Sequence, residues 1–262
     1  MNPVIEQITI YPVKSMDGIS TDNVEISPGG SLMNDRRFAL KNTEGKYING
    51  KKYPLLHSLR ATFSEDLISV TFSGESFETS PSFELIAGNP LLEEWLGSFF
   101  STRVFFLEDR HSGFPDDLKA YGPTIASLGS YQAVMQWFNL SSVEETHRRF
   151  RTNIVLSGCP PFWEDTLFSD TGEEKEFQVG AVKFLGINPC NRCPVPSRHP
   201  DTGEPISDFQ KIFSEKREET LLPEKDTARF NHYYKFAVNT KIPLTETGKY
   251  IRVGDIVSIN NY

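Results

Sequence analysis

Two of the chain's three cysteines stand three positions apart in "GINPCNRCPVPSRHPDTGEP", Gly186 to Pro205, inside a proline-rich turn. A Cys-x-x-Cys pair has three chemical uses. The first is half of a zinc site, where tetrahedral zinc takes four ligands, commonly as two pairs. Here Cys159 has no near partner in sequence, and His199 and His232 lack the paired spacing. The second is a thioredoxin-like dithiol, which needs a helix opening at the pair after a strand. Pro189, Pro194 and Pro196 disfavour such a helix directly downstream. In the third, one thiolate is a soft ligand to a redox metal and its neighbours shape the turn. Spacing alone does not choose among them.

The elements that must position this pair read as β-rich. "IEQITIYPV" alternates, "NVEISP" runs into the turn "PGGS", "RRFALKN" meets "TEGK", and "LRATF", "LISVTFSG" and "SFELIAG" follow at regular spacing. Many short strands between Gly, Pro and Asn turns predict a barrel or sandwich. In "NPLLEEWLGSFF", Asn89 caps a helix and Pro90 takes its first position. After the strand "TRVFFLED", Arg110 to Thr124 is polar and reads as a linker or a long functional loop. The second half predicts helices in "SLGSYQAVMQWF" and "SSVEETHRRF", the latter with Ser142 and Glu145 spaced as a capping box. A strand "TNIVLSG", a β-pair through "KEFQVGAVKFLGI", a helix near "DFQKIFSEKR" and closing strands "YKFAVNT" and "KYIRVGDIVSI" complete it. The expected fold class is mainly β with minor helices, a β-rich α+β protein in two units, residues 1–110 and 115–262.

Composition narrows the function classes. The 262 residues suffice for one large domain or two ordinary ones, and 38% hydrophobic with twenty Phe ensures a core. A formal net charge of -8 argues against a nucleic-acid or anionic-membrane partner, which needs a positive field. "MNPVIEQITIYPVKS" lacks a charged n-region and apolar core, and no window approaches a spanning helix. Three cysteines are too few, and odd in number, for a disulfide framework, so a cytoplasmic, reducing setting is expected.

Four blocks, "IYPVKSMDG", "NDRRFAL", "FRTNIVLSGC" and "PCNRCPVPSRHPDTGEP", occur in the order and rough spacing of MOSC proteins that carry a MOSC N-terminal β-barrel domain. The chain resembles the amidoxime-reducing component and YcbX-type members of that group from about Ile5 to the final "VGDIVSI". The resemblance implies a MOSC N-terminal β-barrel-like domain followed by a MOSC β-barrel domain, and a molybdenum cofactor (molybdenum held by molybdopterin). It implies that Cys193 ligates molybdenum, as metal ligand and catalytic residue, with Cys190 secondary. It also places Lys14, Ser15, Arg36, Arg151, Asn153, Asn191 and Arg192 in contact with the cofactor. Thr152 stands where the family has Pro. A molybdopterin carries a phosphate and a hydrogen-bonding pterin, so fixed cations and forked donors such as Lys14, Arg36, Arg151 and Arg192 are the right residue types. A helix opening near "ASLGS" would aim free N–H groups and the Ser127 hydroxyl at a phosphate.

Several of these residues also have plainer roles. Arg151 reads equally as a surface salt bridge beside "VEETHRRF", Arg37 as solvated, Lys14 as a strand end, and His111 and His147 as surface residues. Asp201, Thr202 and Gly203 fit an Asx-type turn with glycine in the left-handed region. Cys159 fits a buried small hydrophobe. The aromatic residues are first a core. "PVPSRHP" replaces the family's Thr-Thr-Val-Asp-Pro, putting His199 at the aspartate and putting substrate contacts and electron entry in question. The expected activity is two-electron reduction of N-hydroxylated or N-oxide-type small molecules. Electrons would come from a separate donor protein, since the four spaced cysteines of a plant-type ferredoxin cluster are missing. The alternatives are a cofactor carrier or sulfur-transfer module, and a zinc-stapled barrel with a binding role.

Overall fold

The structure is a computed structural model, which describes residues 2–75, 77–222 and 227–259. Its first part contains β1 (Val4–Ile10), β2 (Ile19–Thr21), β3 (Asn23–Glu25), β4 (Phe38–Lys41), β5 (Arg60–Phe63), β6 (Ser69–Ser73) and β7 (Phe83–Glu84). Helix α1 (Pro90–Phe100) and β8 (Phe105–Glu108) close it. The rest comprises β9 (Ile125–Ser127), α2 (Leu128–Phe138), α3 (Val143–Phe150), β10 (Ile154–Ser157), β11 (Lys175–Val179) and β12 (Val182–Asn191). Helix α4 (Phe209–Glu219), β13 (Lys235–Lys241), β14 (Tyr250–Arg252) and β15 (Val257–Ser258) follow. The protein is mostly β, as the sequence predicts. Among the described residues no helix is long and apolar enough to cross a membrane.

Eight strands form one mixed sheet in the order β15-β11-β12-β13-β9-β10-β1-β2. The expected barrel is not closed by a continuous ladder among the described residues. Instead, a single antiparallel bridge, Val4 to Ile256, brings the two regions together, with backbone bonds from Ile5 N to Asp255 O (2.9 Å) and Val257 N to Pro3 O (2.8 Å). Strands β1 and β2 come from the first unit yet pair in this sheet, Ile8 lying opposite Ile154. The remaining first-unit strands form small sheets, β4 with β8 and β5-β6-β7, and β3 pairs with β14.

Local chemistry sets the elements. Asn89 Oδ1 accepts from the N–H groups of Leu91 and Leu92, capping α1 behind Pro90. The α3 cap is a displaced capping box: Ser142 Oγ accepts from Glu145 N (3.0 Å), but Glu145 Oε2 reaches Ser141 N (2.9 Å) rather than Ser142. Pro189 lies inside β12, where it has no N–H for the ladder with β13. The pairing shifts register between Gly186 and Asn188 and again between Pro189 and Asn191. The ladder is thus irregular over the last residues of β12, although Asn191 still pairs with Lys235 two residues before Cys193. A single 3-10 turn, Val195–Ser197, follows instead of a helix, so the dithiol reading has no helix N-terminus to use.

Among the described residues, three apolar clusters form the core. One lies in the large sheet around Ile8, Ile154 and Phe184, one in the first unit around Phe38, Phe72 and Leu96, and one between α2, α3 and α4 around Phe150, Phe213 and Phe236. Cys159 packs against the first, and burial pushes its thiol up to about 12, as suits an inert small hydrophobe.

Candidate functional site

A cavity of about 1440 Å³ opens between the first-unit core and the helical core. Of the nine residues assigned from sequence, Ser15, Arg36, Arg151, Asn191, Arg192 and Cys193 line it. Cys190 lines it too. The geometry distinguishes the two thiols. Cys193 is exposed, whereas Cys190 is half-buried and its Sγ accepts from Arg192 Nη1 at 3.3 Å. Cys193 therefore presents the free sulfur. Its backbone is held from below, because Tyr234 Oη donates to Cys193 O (3.2 Å) and Arg192 N donates to Tyr234 O (3.1 Å).

Two arginines reach the cavity without a carboxylate partner among the described residues. The Arg151 guanidinium donates to Met16 O (2.5 Å) and stacks 4.2 Å above the Tyr11 ring. The Arg192 guanidinium donates to Phe150 O and to Cys190 Sγ, and its buried Nε has no partner. Arg36 also converges on Tyr11, at 5.8 Å, but is paired with Asp35 (2.5 Å). Tyr11 thus organises two of the cations, and its hydroxyl is pushed up to about 12 by burial. Sequence reading missed Tyr11, although it sits inside the quoted "IYPVKS" block, because its role appears only when residues 36 and 151 fold onto it.

Backbone strain marks the same place. Ser15, Arg36 and Arg151 have φ of 71°, 50° and 56°, and the described chain has only seven other non-glycine residues with positive φ. Such conformations cost of order 1 kcal/mol each and concentrate at sites that need a side chain aimed in a particular direction. Arg151 is the left-handed C-cap of α3, with its N–H bonded to His147 O, which turns its side chain off the helix and over Tyr11.

Three of the assigned residues are not on the cavity wall. Ser127 caps α2 through Ser130 N (3.1 Å), is fully buried, and does not line the cavity, so its hydroxyl is not available to a phosphate there. Asn153 is also fully buried. Its Oδ1 accepts from Thr124 N (3.1 Å) and its Nδ2 donates to Thr9 O (3.1 Å), so it ties strands together behind the wall. Lys14 does not itself line the cavity; its ammonium group is bound to Asp116 (2.5 Å), which does, and to Phe114 O (2.9 Å). Ser127 is taken up by a local cap, and Asn153 and Lys14 by groups far away in sequence, which residue type alone does not reveal.

Two further readings change. Arg37 is paired with Glu108 rather than solvated, and His147 is 7% exposed rather than a surface residue. The His147 Nε2–H donates to Thr152 O (3.0 Å), and Thr152 itself exchanges a 2.7 Å hydrogen bond with Tyr131. That hydroxyl contact is what Thr152 gains over the Pro of the resemblance. Burial drops His147 from 6.5 to about 4. The unfolded state then binds a proton that the folded state refuses between those values, so this residue's contribution falls as pH drops through that window, by about 3 kcal/mol in full. Glu164, raised by burial to about 7, opposes this over the overlapping range. The expected result is that His147→Gln, which keeps an N–H donor, flattens the pH 4 to 6.5 limb of urea-melt stability relative to wild type. An unchanged limb would overturn it.

The loop after Cys193 hangs from α3 and β5. Arg149 donates to Arg198 O (2.6 Å) and Pro196 O (3.3 Å), and Arg148 forks onto Asp201, to which Arg60 also reaches (3.4 Å). Asp201 is therefore an ion-pair hub as well as part of a turn, and Gly203 takes φ 74° as the sequence predicts. His199 Nδ1 accepts from Asp201 N (3.2 Å).

The residues present fit a metal delivered by an anionic organic carrier better than a bare ion. Among the described residues no group of three or more His, Cys, Asp and Glu could hold a metal, which leaves the zinc reading without a ligand set. One free thiol, two uncompensated guanidinium groups and the unpartnered Arg192 Nε do suit a group that brings its own sulfur ligands and negative charge.

Residues 2–84 match the MOSC N-terminal beta barrel domain and residues 123–258 match the MOSC domain. Mitochondrial amidoxime-reducing component 1 of Mus musculus is 25% identical, covering 97% of this chain and 81% of that protein. Mitochondrial amidoxime reducing component 2 of Bos taurus is 25% identical over 76% of this chain and 67% of its own length. A molybdenum cofactor sulfurase of Caenorhabditis elegans is 27% identical over 78% of this chain but only 30% of its own length. With both of its family segments matched in order, and the second spanning just over half of its length, the chain belongs to the MOSC family.

Proposed function

We propose that the protein binds a molybdenum cofactor through Cys193 and reduces N-hydroxylated or N-oxide-type small molecules in the cytoplasm, with electrons from a separate donor protein. The observation that carries this is one exposed thiol sharing a cavity wall with two arginines that have no carboxylate partner among the described residues. The net change is R–NHOH + 2e⁻ + 2H⁺ → R–NH₂ + H₂O. When bound, the cofactor supplies the two-electron oxygen-acceptor chemistry. Cys193 would hold the metal, and Arg151, Arg192 and Arg36 would bind and orient the anionic carrier. The Ser15 hydroxyl and Asn191 amide, both on the wall, supply neutral hydrogen bonds.

Relatives named amidoxime-reducing components support the reductase reading, and the cofactor-sulfurase relative supports a carrier or sulfur-transfer module on the same cavity. Elemental analysis and turnover separate them. Protein purified from a host that makes the cofactor is expected to carry molybdenum at near one atom per chain and to oxidise a reduced dye when given an amidoxime or hydroxylamine. Molybdenum without turnover would favour the carrier. Zinc, or no metal in folded protein, would overturn both.

A further inference from the structure

The polar loop from Arg110 to Thr124 is no mere linker, because it places a carboxylate on the cavity's cations. Lys14 is 6% exposed. Its ammonium group donates to Phe114 O (2.9 Å) and to Asp116 Oδ1 (2.5 Å), and the other oxygen of Asp116 lies 3.8 Å from Arg36 Nε. A buried ammonium is expensive without an anion, so Lys14 needs a partner in every state. What is unusual is where that partner comes from. Asp116 has a side chain 75% exposed and reaches in from the solvent side of the cavity wall.

The loop is anchored on both sides of Asp116, since beyond it Gly122 N donates to Thr240 O (2.9 Å), but the carboxylate itself stands on the exposed span between the anchors. Phe114 N donates to Arg36 O (2.8 Å), and the Phe114 ring packs edge-on to Tyr47 at 6.1 Å, so residue 114 is anchored. Asp116 stands two residues beyond that anchor, past Pro115, and among the described residues its carboxylate bonds to Lys14 and pairs with Arg36. Arg36 keeps Asp35, a 7% exposed carboxylate also bonded to Tyr11 N (2.9 Å), when Asp116 leaves. Asp35 is thus a permanent partner and Asp116 a replaceable one. A phosphate group offers more charge and more acceptor oxygens than a carboxylate and would satisfy both Lys14 and Arg36.

We propose that Asp116 is a tethered stand-in anion that occupies the Lys14–Arg36 seat and yields it to the phosphate of an incoming ligand. This inference rests on the reading that the cavity takes a phosphate-bearing cofactor. The device keeps Lys14 compensated while the cavity is empty. It also lowers the apparent affinity for phosphate by the fraction of time that the seat is open, so loosely fitting anions are turned away.

The test uses metal-free full-length protein and inorganic pyrophosphate, titrated by calorimetry at fixed low salt. Asp116→Asn is expected to bind pyrophosphate about tenfold tighter than wild type, as expected if the seat is open roughly a tenth of the time. Asp117→Asn removes the same charge from the same wall without touching Lys14, and is expected to gain far less. Lys14→Met in the Asp116→Asn background should abolish the gain, and Arg36→Gln does the same job if Lys14→Met does not fold. Equal binding by wild type and Asp116→Asn, no binding by either, or an equal gain in Asp117→Asn would overturn the proposal. Neither molybdenum nor Cys193 enters this measurement. A chain that holds no molybdenum could still show the gain, and one that holds it could fail to.

Discussion

Cys193→Ala protein is expected to purify folded but depleted of molybdenum, with dye-driven turnover reduced at least about 100-fold. Groups that merely support a metal ligand already cost 10- to 100-fold when removed, so the ligand itself must cost more. Cys190→Ala is expected to keep most of the metal and the turnover. The contrast follows from the geometry, since Cys190 Sγ is occupied by Arg192 while Cys193 is the exposed thiol. Cys193→Ser adds a second comparison, keeping size but replacing soft sulfur by hard oxygen, and should lose the metal nearly as completely. Equal loss in the two alanine variants, or retention of metal by Cys193→Ala, would refute the assignment of the ligand.

Arg217→Leu should destabilise the fold by about 3–5 kcal/mol, measured by urea denaturation, with no direct effect on the cavity. Arg217 on α4 is 1% exposed, is bonded to Asp165, and stacks 4.1 Å from the Phe162 ring and 5.0 Å from Phe230. Its removal leaves the 2% exposed Asp165 without its guanidinium beside Glu164, a carboxyl already pushed up to about 7 by burial and by Asp165 itself. Neither Arg217 nor Asp165 lines the cavity. The Arg217→Leu, Asp165→Asn double variant should recover much of the loss, because it also removes the buried carboxylate charge that Arg217 balances. A double variant no more stable than the single one would show that packing of the guanidinium, not charge compensation, dominates.

Most of the secondary structure was legible because its determinants are local. Asn89 with Pro90, Ser142 with Glu145, and the Val179 to Val182 turn of the β11–β12 pair are set by residues within a few positions of one another. Strand pairing was less legible. That β1 and β2 pair beside β10, rather than within the first unit, depends on register with residues 154–157, and alternation in "IEQITIYPV" shows which face is buried but not against what. The site divided in the same way. Arg36, Arg151, Arg192 and Cys193, named by type and by resemblance, line the cavity, whereas Ser127 and Asn153 lie off its wall, their short polar side chains spent on a helix cap and a strand tie. Tyr11 and Asp116 left no signal, since their partners lie up to 140 residues away in sequence.

The amino-acid sequence by itself determined the residue types, the caps and turns, the scarcity of thiols and the MOSC pattern that sets Cys193 in a proline-rich turn. Tertiary structure alone decided which of two thiols is more exposed, which arginines lack a carboxylate partner among the described residues and which lysine takes one from a loop. The reason is physical: compensation of charge and burial of a polar group act through space over a few ångströms, between atoms that the chain connects only by its fold.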